Sequence, residues 1–276
     1  MRTKSAAGAI DPEWIAAQTP PIAWGRLSVA LYAEVESTNT EASERARAGA
    51  PAGLLLIADH QTAGRGRRGR RWITAPGASL CFSLVVRPRC ERRQWPLLSL
   101  AASSSLARCL RAFVGGVELK WPNDVLIGGR KVAGILVETV DSPDSPPAAV
   151  IGVGVNVGRD SIPSGMEDSA TSLCAAAGSA VSMQAILGSF LREFQEAYLL
   201  VEAGRHCEVV GQWMSMAPMS RNARVWLEEG NRRREAITCG LTELGELRVR
   251  FPDGSDATVL AADVSLRPLG PVIKCQ

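Results

Sequence analysis

Apolar and polar positions alternate over 29–35 (VALYAEV) and break at EST, which predicts a strand. The stretch STNTEASERARAG that follows predicts a helix. There Thr38 and Glu41 stand at capping-box spacing, Glu41 and Arg45 pair at i, i+4, and Gly49 ends the element. GLLLIADH reads as a short buried strand, and SLCFSLVVRP as an alternating strand closed by Pro88. Apolar residues at 97, 100, 101, 107, 110, 113 and 114 form a helical stripe. VELKWPNDVLIGGRKVAGILVETV reads as strand, Trp-Pro-Asn turn, short strand, Gly-Gly hairpin and long strand. DSPDSPPA, 141–148, reads as a polar loop, AAVIGVGVNVG as a strand, and 158–170 as irregular chain. Met183, Ile186, Leu187, Phe190, Leu191, Phe194, Tyr198 and Val201 trace the core face of an amphipathic helix.

From about residue 219 the texture changes to short strands at regular spacing with Gly turns, which predicts a small β-barrel-like domain. The chain therefore divides into a lead-in over 1–25 with one short helix near Trp14, a main domain over 26–217, and a β domain over 218–276. Too little chain precedes residue 25 for a helix-turn-helix module. The class is α+β: a mixed sheet with helices on one side, plus the small β-barrel.

Composition narrows the chemistry. The chain has 276 residues, and no apolar run approaches the ~18 residues of a membrane span. The N-terminus lacks the apolar core of a secretion signal, so the cytoplasm is the expected location. Seven cysteines without a C-x-x-C pair argue against a disulfide framework or a zinc site, and no metal ligand set is assigned. Cys81 and Cys109 fall in apolar segments and read as core. With only His60 and His206, chemistry built on several histidines is excluded.

The net charge is +3, from 31 Lys and Arg against 28 Asp and Glu. Without the five arginines of 65–71 the balance is 26 against 28. The basicity therefore sits largely in one loop, GRGRRGRRW, which suits a small anion in a pocket better than a nucleic acid duplex. This loop also matches G-x-G-x-x-G, but RRWITAPGASL follows, and its Pro and Gly leave no room for the helix a dinucleotide turn requires. It has no G-K-[ST] ending for a P-loop. RNA-binding segments interleave aromatics with their basic residues, whereas this run is short and internal. Glycines alternating with arginines suit a backbone that reshapes around an anion and turns its N–H groups inward.

HQTAGRGRRGRRW, ESTNTEA, GASLCFSLVV, LKWPNDVLIGGRKVAGILVE and IGVGVNV together resemble the biotin protein ligases, over about residues 30–265. The resemblance implies the biotin–lipoate ligase catalytic fold, which is like that of class II aminoacyl-tRNA synthetases, and an SH3-like C-terminal domain. It also implies the reaction: biotin and ATP give biotinyl-5′-adenylate, and biotin then passes to a lysine of a biotin carboxyl carrier protein. Mg²⁺ accompanies ATP. Nucleic acid and membrane are not expected partners, and the protein is expected as a monomer or homodimer.

Residue by residue, the resemblance implies that Lys131 touches both the biotin carboxylate and the α-phosphate, and that Arg67 retains the adenylate. Arg65 and Gly66 supply backbone contacts at the carboxylate end. Ser37 and Thr38 bond the ureido ring, with Asn39 beside them in the biotin site, although at least one of the first two also suits helix capping. Gln61 lines the biotin site, and Gly152 and Gly154 let the backbone approach biotin. Arg68, Arg70, Lys120, Asn123 and Asp124 lie towards the nucleotide phosphates and Mg²⁺, although Asn123 and Asp124 also suit a plain turn. Trp72 packs near the adenine or in the core, and Asn156 reaches the adenine. No general base stands out. Lipoate or octanoate attachment enzymes share the fold and a counterpart of Lys131, and a biotin-binding protein without catalysis is the other alternative. A repressor role is not expected, because the chain starts directly with the catalytic domain.

Overall fold

The computed structural model describes residues 10–18, 23–229, 232–260 and 265–268. The rest of the 1–25 lead-in and Cys275 lie outside the described residues. The short helix near Trp14 is present as α1 (Pro12–Gln18).

The main sheet has seven strands: β1 (Ser28–Val35), β2 (Leu54–Gln61), β3 (Ser79–Val86), β4 (Val117–Lys120), β5 (Asp124–Ile127), β6 (Arg130–Ser142) and β7 (Ser145–Asn156). Their order is β1-β2-β3-β7-β6-β5-β4. Only β1 and β2 run parallel, joined by the crossover helix α2 (Thr38–Arg47); the other pairs are antiparallel. The sheet is therefore mixed, as the alternating patterns require. Gly128 and Gly129, both at positive φ, make the tight β5–β6 turn.

The helices are α2, α3 (Leu97–Arg111), α4 (Leu173–Ala177), α5 (Met183–Glu202) and α6 (His206–Met214). The stripe on α5 buries as its period predicts, with Phe190 and Phe194 at 0% exposure; α3 buries Leu97 and Leu110 at 0% but ends at Arg111, short of Phe113 and Val114 in the expected stripe. They pack on one face of the sheet, against Leu55, Ile57, Val125, Ile135 and Ile151. Each such side chain contributes roughly 1.5–3 kcal/mol, whereas exposed ion pairs contribute about 0–1, so this core holds the fold.

The expectation of helices on one side needs correction. Ala42 and Ala46 of α2 pack on Leu54, Leu56, Val85, Val140, Ala148 and Val150, which point to the opposite face. Small residues let this helix lie close to the sheet, and it covers only one end. The rest of that face is left for a cavity. The cap of α2 is Ser37, whose Oγ accepts from Thr40 N, rather than Thr38. The loop expected over 141–148 is mostly a hairpin, because β6 and β7 pair out to Ser142 and Ser145. Pro146 and Pro147 are tolerated there because β3 pairs with β7 only from Ala149 onward. Helices α4 and α6 were not foreseen.

Beyond α6, strands β8 (Arg221–Glu229), β9 (Arg232–Leu241), β10 (Leu247–Arg250), β11 (Asp256–Val259) and β12 (Ser265–Pro268) form a small antiparallel sheet in the order β11-β10-β9-β8-β12. Trp121 Nε1 donates to Gly245 O at 3.1 Å, tying this sheet to the β4–β5 turn.

Candidate active site

A cavity of about 540 Å³ opens on the sheet face that α3 and α5 leave free. Every residue singled out from the sequence lines it: Ser37, Thr38 and Asn39 from α2 and its cap, Gln61, the arginine loop with Trp72, Lys120 to Asp124, Lys131, Gly152, Gly154 and Asn156. They come from segments spread over more than a hundred positions. A second groove of about 610 Å³ lies among α3, α5 and α6, where Arg108 pairs with Glu193 at 2.6 Å and Arg111 donates to Val117 O at 2.9 Å.

The arginine loop is a small hairpin. Arg65 and Arg71 form a bridge, Gly66 N donates to Arg70 O at 2.7 Å, and Trp72 N donates to Gly64 O at 2.8 Å. Its tip turns at Arg68 and Gly69, both with positive φ, and Arg68 Nη1 donates to Glu228 O of β8 at 3.1 Å. Arg67 points into the cavity. Its Nη1 donates to Asn123 Oδ1 at 3.3 Å, while Nη2 is buried with no hydrogen-bond partner. Burial pushes the Arg67 guanidinium below its usual pKa, and Arg68 and Arg70 add to this against the pull of Asp124. A buried cationic donor without a partner is placed to receive an anion.

Lys131 reaches the cavity through a bulge. Val125 pairs with Ala133 but Leu126 pairs with Lys131, so one extra residue, Val132, enters β6. That shift turns Lys131 onto the face shared by Asp124 and Gly134. Its Nζ lies 2.5 Å from Asp124 Oδ1 and 5.6 Å from the centre of the Trp72 ring. Its backbone is fixed on the other side, where Lys131 N donates to Ser169 O and Thr171 N donates to Lys131 O, both at 2.9 Å. The irregular 158–170 stretch thus braces the lysine strand, a role that no local pattern signalled.

The other end of the cavity is polar and dense. Gln61 Oε1 accepts from Thr38 N at 2.8 Å and from Thr38 Oγ1 at 3.1 Å. Asn39 Oδ1 accepts from Ser83 Oγ at 2.6 Å, and Asn39 Nδ2 donates to Glu138 at 2.9 Å. Ser83 and Glu138 were missed from the sequence. The two glycines of β7 are filled from within the protein. A Cβ on Gly152 would meet Asn39 at 1.9 Å, and one on Gly154 would meet the Trp72 indole at 2.5 Å. Trp72 thus lies on the sheet floor over Gly154 and under Lys131. Asn156 Nδ2 donates to Thr171 O at 3.3 Å. Cys81 is buried beneath, its thiol pushed up to about 12 by burial.

A mixed sheet carrying a cationic cavity beside a dense polar end is the architecture of an enzyme that brings anionic substrates together. Residues 31–156 match the biotin/lipoate A/B protein ligase family. The chain is 35% identical to a biotin–[acetyl-CoA-carboxylase] ligase of Mycobacterium tuberculosis over 247 residues, covering 87% of this chain and 80% of that one. A ligase of the same name from Paracoccus denitrificans is 30% identical, with 85% and 98% covered. The match to a bifunctional ligase/repressor of Bacillus spizizenii is 37% identical but spans about half of that relative, 53%, and 61% of this chain. The solved biotin protein ligase of Aquifex aeolicus in complex with biotin and ATP superposes with a TM-score of 0.75 at 28% identity, over 87% of this chain and 99% of that one. The chain belongs to the biotin protein ligase family.

Proposed function

We propose that this protein is an ATP-dependent biotin ligase. A biotin carboxylate oxygen attacks the α-phosphorus of ATP. The bond to the β-phosphate breaks, giving biotinyl-5′-adenylate and pyrophosphate. The amine of a lysine on a biotin carboxyl carrier domain then attacks the acyl carbon. AMP leaves with the C–O bonding pair, and the amine gives up a proton. The names of the relatives and the biotin and ATP in the Aquifex complex support this reading.

The observation that carries it is the pairing of Lys131 with a buried Arg67 donor in one cavity. Both substrates of the first step are anions, and preorganised cations where charge accumulates are usually the largest catalytic contribution. Lys131 bridges carboxylate and α-phosphate, and Arg67 holds the product adenylate. Arg68, Arg70, Lys120 and Asn123 serve the phosphates, and Arg65 and Gly66 the carboxylate end. Ser37, Thr38, Asn39 and Gln61 take the ureido ring, Trp72 forms the floor beneath the adenylate, and Asn156 lies towards the adenine. Closure of the arginine loop excludes water from the mixed anhydride.

ATP enters as its magnesium complex. Magnesium binds through one or two carboxylates together with substrate phosphates. Asp124, already against the Lys131 ammonium, fits that role as the protein's share. Among the described residues no group of three or more His, Cys, Asp or Glu is placed to hold a metal alone. We take the small antiparallel sheet to be the SH3-like module, with the division of the chain near residue 217. ATP–pyrophosphate exchange tests the reading. Exchange with biotin alone supports it, exchange with lipoate or octanoate instead redirects it to the sister enzymes, and none with any acid overturns it.

A further inference from the structure

Glu138 touches a lining residue from each half of the cavity, Asn39 and Arg65. It stands on β6 with its side chain 24% exposed, facing the N-terminus of α2 and the root of the arginine loop. Its Oε1 lies 2.5 Å from Arg65 Nη2, and its Oε2 accepts from Asn39 Nδ2 at 2.9 Å. Arg65 also reaches Thr40 Oγ1 of α2 at 3.3 Å. From Asn39 the chain of bonds runs on: Asn39 Oδ1 to Ser83 Oγ at 2.6 Å, Ser83 Oγ to Thr38 Oγ1 at 2.8 Å, and Thr38 Oγ1 to Gln61 Oε1 at 3.1 Å.

A carboxylate paired with an arginine has only acceptors to offer. An amide beside it must turn its NH₂ towards the carboxylate and its oxygen away. Glu138 therefore sets the sense of the Asn39 amide. With the single proton of the Ser83 hydroxyl given to Asn39 Oδ1, Ser83 can only accept at Thr38 Oγ1. Glutamine at 138 cannot do this. It has one acceptor oxygen for two donors, and its own NH₂ would face either Arg65 or Asn39.

We propose that Glu138 is a positioning residue: it orients Asn39 for the ureido ring of biotin and anchors Arg65, the root of the arginine loop, over the same ligand. This inference rests on the proposed function and extends it to a residue that contacts no substrate. One carboxylate then serves two ends of the ligand, ring recognition on one side and loop closure on the other.

The test uses the full chain in two measurements: biotin affinity by titration calorimetry, and the rate at which preformed biotinyl-adenylate leaves the protein. Glu138→Gln is expected to weaken biotin about tenfold or more and to speed adenylate release. Arg65→Ala speeds release as well, and the double variant releases no faster than the faster single one, because both cut the same tether. Glu138→Asp keeps two acceptors on a shorter stem and is expected to bind biotin more tightly than Glu138→Gln. A residue that only stabilises the fold would lower the melting temperature and leave biotin affinity in place. Biotin affinity of Glu138→Gln within about twofold of wild type, or release rates that multiply in the double variant, overturns the proposal. Should Glu138→Gln not fold, wild-type release from Arg65→Ala overturns it. A wild-type protein that binds no biotin overturns the proposed function itself, a different outcome from any of these.

Discussion

Asn39 occupies the space that a side chain at residue 152 would need: an ideal Cβ on Gly152 falls 1.9 Å from its Oδ1 and 2.6 Å from its Cγ. The glycine in IGVGVNV is thus explained by a neighbour 113 positions away in the chain, as 152 less 39 gives. Gly152→Ala is expected to push Asn39 off the sheet, at a cost of ~1–3 kcal/mol in stability, and to weaken biotin sharply. Adding Asn39→Ala is expected to restore the melting temperature but not the affinity. Recovery of both would show that Asn39 has no part in binding.

Arg67 presents the reverse case. Its Nη2 is buried without a partner, and burial pushes the guanidinium below its usual pKa. Such a group lowers the stability of the ligand-free fold. Arg67→Met is therefore expected to melt at the same temperature as wild type or higher, while releasing biotinyl-adenylate faster. A lower melting temperature with unchanged release would make Arg67 a structural residue.

Cys81 is buried beneath the cavity. Burial pushes its thiol up to about 12 and that of Cys109 to about 11, so neither holds appreciable thiolate at neutral pH. Alkylation followed by peptide mass mapping at pH 8 is expected to label the exposed Cys207 readily, and Cys81 and Cys109 only after unfolding. Rapid labelling of Cys81 in the native protein would mean that the sheet face is open to solvent.

Local pattern carries far in this chain where a face of the element meets the main core. The strands β3 and β5–β7 and the long helix α5 each present a face to it, whereas in β1 only Val29 packs there and Leu31 stays 38% exposed. The pattern failed where the deciding partner is distant or the signal is weak. Only Ala42 and Ala46 mark the buried face of α2, too small a stripe to say which side of the sheet it covers. Pro146 and Pro147 imitate a loop, because sequence does not tell that β3 ends before reaching them. Glu138 meets Arg65 and Asn39 across 73 and 99 positions, and nothing near it in sequence marks it as more than a strand residue. The bulge at Val132 that aims Lys131, and the brace from Ser169 and Thr171, are likewise products of packing.

Lys131, held 2.5 Å from Asp124, is the residue proposed to neutralise the two anions of the first half-reaction. The most direct measurement is biotin-dependent ATP–pyrophosphate exchange with Mg²⁺ by wild type and by Lys131→Ala. Wild type is expected to exchange only with biotin present, and the variant to lose about a hundredfold or more. Exchange at the wild-type rate without the Lys131 ammonium would contradict it.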